Sequence, residues 1–362
     1  MDLNRLGWNP FFEAHFEPFR NRDFLPARIA LEHRRTYLVY GEHGELSAEV
    51  SGKFRNDAAE RGRFPAVGDW AAIRSRPEEG KATIHALLPR KSSFSRKAVL
   101  AGGPAYGPGK TEEQVLAANV DTAFLVSGLD GDFNPRRIER YLTLVWDGGA
   151  TPVIVLNKAD VCTDIGTYVA KVESVAWGVP IHPVSALENQ GLDVLSEYLG
   201  SGKTGALLGS SGVGKSTLIN GLIGEERQEV RAVREHDHRG RHCTTHRELI
   251  LLPGGGAIID NPGLRELQLW GDEDGLKGAF SDIEELAGLC RFRDCGHQRE
   301  PGCAIRQALE DGTLDPGRWQ GYLKLKKELR FLTTRQDQKA HLAEKAKWKK
   351  ISQWSKKMNQ YR

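Results

Sequence analysis

Long apolar runs are absent from this sequence. Its stretches of Val, Ile, Leu and Ala are of strand length, far short of the roughly 20 residues that a membrane-spanning helix requires, so no membrane partner is expected. The opening Met-Asp-Leu-Asn-Arg has none of the apolar core of a secretion signal, and a cytoplasmic location is therefore expected. Cysteine is scarce, with five in 362 residues. In a reducing compartment so few thiols argue against a disulfide framework and, where they cluster, for metal. No internal repeat is present. Net charge is almost absent at +3, but this balance hides an asymmetry. From Lys324 to Arg362 there are thirteen Lys or Arg against three Asp or Glu, an excess of ten that leaves the remainder of the chain acidic by seven. A basic tail of that density is an electrostatic footprint for nucleic acid.

What is present describes an ordinary soluble chain of two or three domains, 39% hydrophobic and 27% charged. Residues 1–26 are aromatic and irregular, with Pro10, Pro18 and Pro26 opposing regular structure; they are expected to pack on a neighbouring domain or to order on a partner. Five short β-like runs follow, at Ala27–Glu32, Thr36–Tyr40, Glu45–Val50, Asp69–Ile73 and Ala82–Leu88, which suggest a small barrel of the OB type over residues 27–95. Arg55, Arg61 and Arg63 lie in its long polar connection, either as a nucleic-acid contact or as a plain solvated loop. Residues 90–119, basic and then Gly/Pro-rich, read as a mobile linker. Thereafter apolar strands alternate with helical stretches to give a doubly wound sheet of about six strands within residues 96–268.

Gly209-Ser210-Ser211-Gly212-Val213-Gly214-Lys215-Ser216-Thr217 lies between a strand and a helix and reads as a P-loop. Its glycines let consecutive N–H groups curl inward onto phosphate oxygens, Lys215 reaches the terminal phosphates, and Ser216 offers a hydroxyl to Mg²⁺. The helix that starts there adds its positive end. This loop alone identifies a nucleoside triphosphate and no base. The base is read from Asn157-Lys158-Ala159-Asp160, at the end of the strand Val153–Leu156. The Asp160 carboxylate can accept from both the ring N–H and the exocyclic amine of guanine, a donor pair that adenine lacks. Asn157 would hold the loop and the base edge, while the Lys158 stem would cover the ring face. Ser185-Ala186-Leu187, ending the next strand, resembles the backbone loop that meets guanine from the other side. Asp260-Asn261-Pro262-Gly263 places Asp260 to hold Mg²⁺ through water and Gly263 to sense a γ-phosphate, with Thr244 or Thr245 as the switch threonine on the metal.

Here the guanine-specificity loops precede the P-loop, the reverse of the usual GTPase order, which makes the domain a circular permutation. On these motifs the chain resembles the RsgA family of circularly permuted GTPases of bacterial small-subunit assembly, over nearly its whole length. The resemblance implies an α/β chain with an N-terminal OB-like β-barrel, a permuted P-loop GTPase domain and a C-terminal, mainly α, zinc module at residues 269–334 with a basic tail at 335–362. It further implies a monomer that binds the 30S subunit and its 16S rRNA and hydrolyses GTP to GDP with stimulation by that particle. One departure stands in Gly240-Arg241-His242-Cys243-Thr244-Thr245, where the family usually has three threonines after the histidine and this chain has Cys243 first.

Cys290, Cys295, His297 and Cys303 follow the pattern C-x₄-C-x-H-x₅-C, a donor set suited to one closed, structural, tetrahedral Zn²⁺ per chain. Cys162 and Cys243 stand apart as plain small residues. For catalysis, Leu264 occupies the position after D-x-x-G where many small GTPases place a glutamine, so another group must orient the attacking water. His242 is the candidate, with Lys215 and Thr244 completing the catalytic set; His236, His238 and His246 remain open. Two other readings stand beside the stimulated GTPase: a GTP-dependent RNA-binding module with only vestigial hydrolysis, and a P-loop kinase, for which no acceptor pocket is visible.

Overall fold

Proline begins the first helix instead of preventing it. In the computed structural model, which describes residues 1–33, 36–58, 61–99, 111–224, 247–260 and 274–331, helix α1 (Pro10–Arg20) starts with Pro10 in its first turn, where the missing N–H has no intrahelical role. The Asn9 side chain caps the Phe11 N–H, and Phe12 and Phe16, four residues apart, bury one stripe of the helix. The irregular segment expected there is corrected to a helix, packed through Trp8 and Phe12 against the fully buried Trp70.

Five strands close the barrel: β1 (Leu25–His33), β2 (Thr36–Gly41), β3 (Gly44–Val50), β4 (Trp70–Arg76) and β5 (Lys81–Leu87). Neighbours run antiparallel except for β3 with β5, and the β1–β4 pairing closes the ring, as the OB reading requires. Inward Ile29, Val39, Ala48, Ile73 and Ile84 are fully buried and fill the interior. A short helix α2 (Gly52–Asp57) carries Arg55 in the connection between β3 and β4.

The mobile linker is also corrected. Strands β6 (Ser93–Val99) and β7 (Thr111–Ala118) form an antiparallel hairpin on either side of residues 100–110, which lie outside the described residues. Its cause is apolar burial at Phe94, Val115, Leu116, Ala117 and Ala118.

Beyond the hairpin the chain alternates β8 (Thr122–Gly128), α3 (Pro135–Asp147), β9 (Thr151–Asn157), α4 (Ile165–Glu173), β10 (Ile181–Pro183), α5 (Leu192–Glu197), β11 (Thr204–Leu208) and α6 (Lys215–Ile223), then β12 (Arg247–Leu251) and β13 (Ala257–Asp260). The spatial order β10-β9-β8-β11-β13-β12 contains the expected six strands, all parallel except β12. The near-continuous apolar runs of β8, β9 and β11 suit strands covered on both faces. At the far edge β12 pairs antiparallel with β1, which joins this sheet to the barrel in one eleven-stranded array.

Arg28 fastens the same junction. Its fully buried guanidinium donates to the carbonyls of Leu6, of Gly68 (3.2 Å) and of Asn119 (3.2 Å), tying the N-terminal arm, the barrel and the entry to β8. Burial pushes the Arg28 pKa down to about 10, against the pull of Asp121 and Asp69, so the side chain stays charged at neutral pH.

The chain divides into two compact units, Met1–Gln268 and Leu269–Arg362. The second holds α7 (Asp274–Ala279), α8 (Ser281–Gly288), α9 (Ala304–Glu310) and helical residues 316–331. Buried Leu276, Phe280, Ile283, Ile305, Leu314 and Tyr322 form its core. Arg318 pairs both guanidinium arms with Asp282 and lies over the Phe280 ring at 4.7 Å. The basic tail at 335–362 lies outside the described residues.

Replacing Arg28 by Ala leaves the buried carbonyls of Leu6 and Asn119 without this donor and that of Gly68 with the Asn119 amide alone, and an Arg28→Ala protein is expected to lose about 2–4 kcal/mol of unfolding free energy in a urea titration. An unchanged midpoint would show that the junction is held by β1–β12 pairing alone.

Candidate functional site

The parallel strands end on one edge of the sheet, and the sequence motifs lie along it: Asn157 closes β9, Ser185 follows β10, the P-loop follows β11, and half-buried Asp260 closes β13. His242, Thr244, Thr245, Gly263 and Leu264 lie outside the described residues, as do His236, His238, Cys243 and His246. The structure therefore brings together the P-loop, the Asn157–Asp160 segment, Ser185-Ala186 and Asp260.

Gly209–Thr217 turns from β11 into α6, with Gly212 and Gly214 at φ +81° and +94°. A Cβ on Gly214 would lie 2.2 Å from Nδ2 of Asn157, so glycine is needed there for close approach as well as for conformation. Lys215 bends back over the loop, and its Nζ donates to the carbonyls of Gly209 (2.8 Å) and Ser210 (2.5 Å). Ser216 and Thr217 sit half-buried in the first turn of α6 beside exposed Ser211 and Gly212, while Val213 is buried below.

Asn157, 2% exposed, joins two loops. Its Nδ2 donates to the Val213 carbonyl at 2.7 Å, and its Oδ1 accepts the Ala186 N–H at 3.0 Å. Lys158 takes the left-handed conformation at φ +67° and opens a 3₁₀ turn (Ala159–Val161), whose Ala159 N–H donates to the Val184 carbonyl at 3.0 Å. Asp160 is exposed and accepts the buried Ser185 hydroxyl at 2.6 Å, so one carboxylate oxygen is fixed by the neighbouring loop.

Two acidic residues escaped the motif reading. After β8, Asp130 accepts Lys158 Nζ at 2.6 Å, and Asp132 accepts Arg137 Nη1 at 2.6 Å and the Ser210 hydroxyl. Burial pushes both carboxyls up, but Lys158 at Asp130, and Arg137 with Ser210 at Asp132, outweigh it and hold each below its ordinary value. Their one sequence signal is position: Asp130-Gly131-Asp132 follows the C-terminal end of the parallel strand β8 after one residue, Leu129.

In the second unit the ligand atoms of Cys290, Cys295, His297 and Cys303 lie within 4.8 Å of one another. Sγ of Cys290 and of Cys303 each stand 3.6 Å from Nδ1 of His297. Ligand bonds of about 2.0–2.3 Å in a tetrahedron imply edges of about 3.5 Å, so the cluster fits a closed four-coordinate metal. Desolvation, reinforced by the Cys303 and Cys290 sulfurs, pushes the Cys295 thiol up; at Cys290 desolvation is outweighed by the Ala304 and Ile305 N–H groups, which hold that thiol low. A bound cation removes the mutual opposition of such thiolates. The Glu300 carboxylate braces the loop by accepting N–H bonds from Gly296 (3.0 Å), Gln298 (2.8 Å) and Arg299 (2.9 Å), and His297 holds φ +57° within it.

A family model described as RsgA GTPase matches residues 87–270. The small ribosomal subunit biogenesis GTPase RsgA of Opitutus terrae is 49% identical over 362 residues, covering 98% of this chain and 96% of the relative. The protein of the same name from Syntrophotalea carbinolica is 47% identical over 99% of this chain and 98% of its own length. Among solved structures, YjeQ from Thermotoga maritima superposes with a TM-score of 0.63 at 27% identity, over 84% of this chain and 98% of that one. YloQ, described as a circularly permuted GTPase, shares the fold with a TM-score of 0.59 at 23% identity, over 87% and 97%.

Metal content checks the cysteine cluster directly. Protein purified without chelator is expected to carry about one divalent ion per chain, and Cys295→Ser to lose it with faster amide exchange around residues 290–303. Metal-free protein with those amides still protected would show that packing alone holds the loop.

Proposed function

The chain belongs to the RsgA GTPase family of small ribosomal subunit biogenesis, and from that membership we propose that it acts in the cytoplasm, in late maturation of the 30S subunit, as a monomer that grips 16S rRNA and hydrolyses GTP when the particle engages it. The observation that carries the nucleotide half of this reading is Asn157, whose buried amide binds the P-loop to the Ser185-Ala186 loop and so holds a phosphate cradle and a base pocket at one spacing.

In this reading the N–H groups of Gly209–Thr217 and Lys215 take the phosphates. Asp160 accepts from the guanine edge, Ser185-Ala186 flanks the base, and the Lys158 stem covers its ring. Ser216, Thr244 and Asp260 are the groups that would hold Mg²⁺, which would supply neutralisation of phosphate charge. Hydrolysis requires a water oxygen to bond to the γ-phosphorus as the bond from that phosphorus to the β–γ bridging oxygen breaks, leaving GDP and inorganic phosphate. His242 orients that water, and the Gly263 N–H senses the γ-phosphate. At Cys290, Cys295, His297 and Cys303 the metal is a structural zinc, consistent with three sulfurs, one imidazole and no open position. The barrel, the zinc module and the basic tail are the surfaces offered to RNA.

Turnover measured against added 30S, 50S and 70S particles tests the reading. The 30S subunit should raise the GTPase rate by about tenfold or more, as a partner that orders a switch does, and the other particles should raise it less. A rate indifferent to 30S, with GTP-dependent binding retained, would make the chain an RNA-binding module whose weak hydrolysis only resets it.

A further inference from the structure

We propose that the loop between β8 and α3, residues 129–134, is a positioning element that sets the base side and the phosphate side of the nucleotide site against each other through Asp130 and Asp132. The proposal rests on the nucleotide-site assignment above and extends it to residues outside both sequence motifs. Asp130 reaches the base side, where its Oδ2 lies 2.6 Å from Lys158 Nζ. Asp132 reaches the phosphate side, holding Ser210 of the P-loop directly and through Arg137, whose Nη1 lies 2.6 Å from Asp132 and 2.7 Å from the Ser210 oxygen. Only Gly131 separates the two carboxylates, so the distance between their targets is set by one turn of backbone.

The turn is braced for that task. Asp130 Oδ1 accepts the Asp132 N–H at 3.1 Å, the Asp130 carbonyl accepts the Phe133 N–H at 3.2 Å, and Leu129 N–H donates to the Asn157 carbonyl at 2.8 Å. Asn134 then caps α3 through the N–H groups of Arg136 and Arg137, which fixes where the Arg137 side chain starts. Gly128 leaves the needed space, since a Cβ there would stand 2.7 Å from Asp130 Oδ1.

These ion pairs contribute little to the fold. Side chains of Lys158 and Asp130 are 31% and 34% exposed, and those of Arg137 and Asp132 are 33% and 40% exposed, so water screens both pairs. Their effect is conformational: they limit where an otherwise free lysine stem and a P-loop hydroxyl can point, and that restriction is felt by a ligand that must meet both. Because each acts through another side chain, Asp130 and Asp132 are positioning residues.

Two double-mutant cycles on the full chain test this, with fluorescent GDP and ADP as probes and thermal unfolding of the nucleotide-free protein as the stability control. Asp130→Asn is expected to weaken GDP binding by about tenfold, the scale of one charge-assisted contact, and to lower the preference for GDP over ADP. In a Lys158→Met background the same change should do nothing further. Asp132→Asn should weaken GDP and ADP alike, leaving their ratio intact, and should add nothing to Ser210→Ala. Nucleotide-free unfolding temperatures should stay within about 2 °C of wild type. Equal costs in both backgrounds, or wild-type affinity and base preference in Asp130→Asn, would overturn the inference. Failure of the wild-type chain to prefer GDP over ADP would instead overturn the nucleotide-site assignment beneath it.

Discussion

A single buried amide governs the geometry of the nucleotide edge. Asn157 has one donor group turned to the Val213 carbonyl and one acceptor turned to the Ala186 N–H, so the loop after β11 and the loop after β10 cannot drift apart without stranding a polar group in a dry place. Gly214 is forced by the same contact, because any side chain at that position would occupy the amide. The 3₁₀ turn that carries Asp160, its contact with Ser185 and the curl of the P-loop all depend on where this amide stands.

Circular permutation leaves that geometry intact for a topological reason. Every parallel strand of the sheet delivers its C-terminal end to one edge, so the Asn157–Asp160 turn, encoded before the P-loop, meets it as readily as one encoded after it would. The permutation does alter what adjoins the sheet. The barrel is encoded ahead of β8, its strand β1 pairs with β12, and Arg28 fastens the same junction from inside. Within the first unit, barrel and nucleotide sheet share hydrogen bonds instead of a linker.

Legibility in the sequence followed sequence distance. Strands β8, β9 and β11 are legible because an apolar run ends at a turn or motif, and the Asn157–Asp160 turn because it lies in four adjacent residues at the end of such a run. The Cys/His cluster is legible for the same reason, with all four side chains between Cys290 and Cys303. Helix α1 is not legible because Pro10, a breaker in a helix interior, lies in the first turn, where an N–H has no intrahelical partner. The β6–β7 hairpin was missed because the Gly/Pro-rich residues 101–110 dominate the segment, while burial of Phe94 and Leu116 is a property of the fold. Arg28 acts on carbonyls 22, 40 and 91 residues away, and Asp132 on a hydroxyl 78 residues away, separations at which no local pattern carries a signal.

We propose that the permuted sheet edge builds a guanine-specific site in which Asp160 reads the base. The most direct measurement is a competition between guanosine and xanthosine triphosphates for Asp160→Asn protein. An asparagine amide presents a donor where the carboxylate accepted, so guanine's amine loses its partner while the xanthine carbonyl gains one. GTP affinity is expected to fall by about a hundredfold, since a site built to accept a donor pair discriminates strongly once that match is broken, and xanthosine triphosphate to become the preferred ligand. An unaltered preference for GTP in the variant would contradict it.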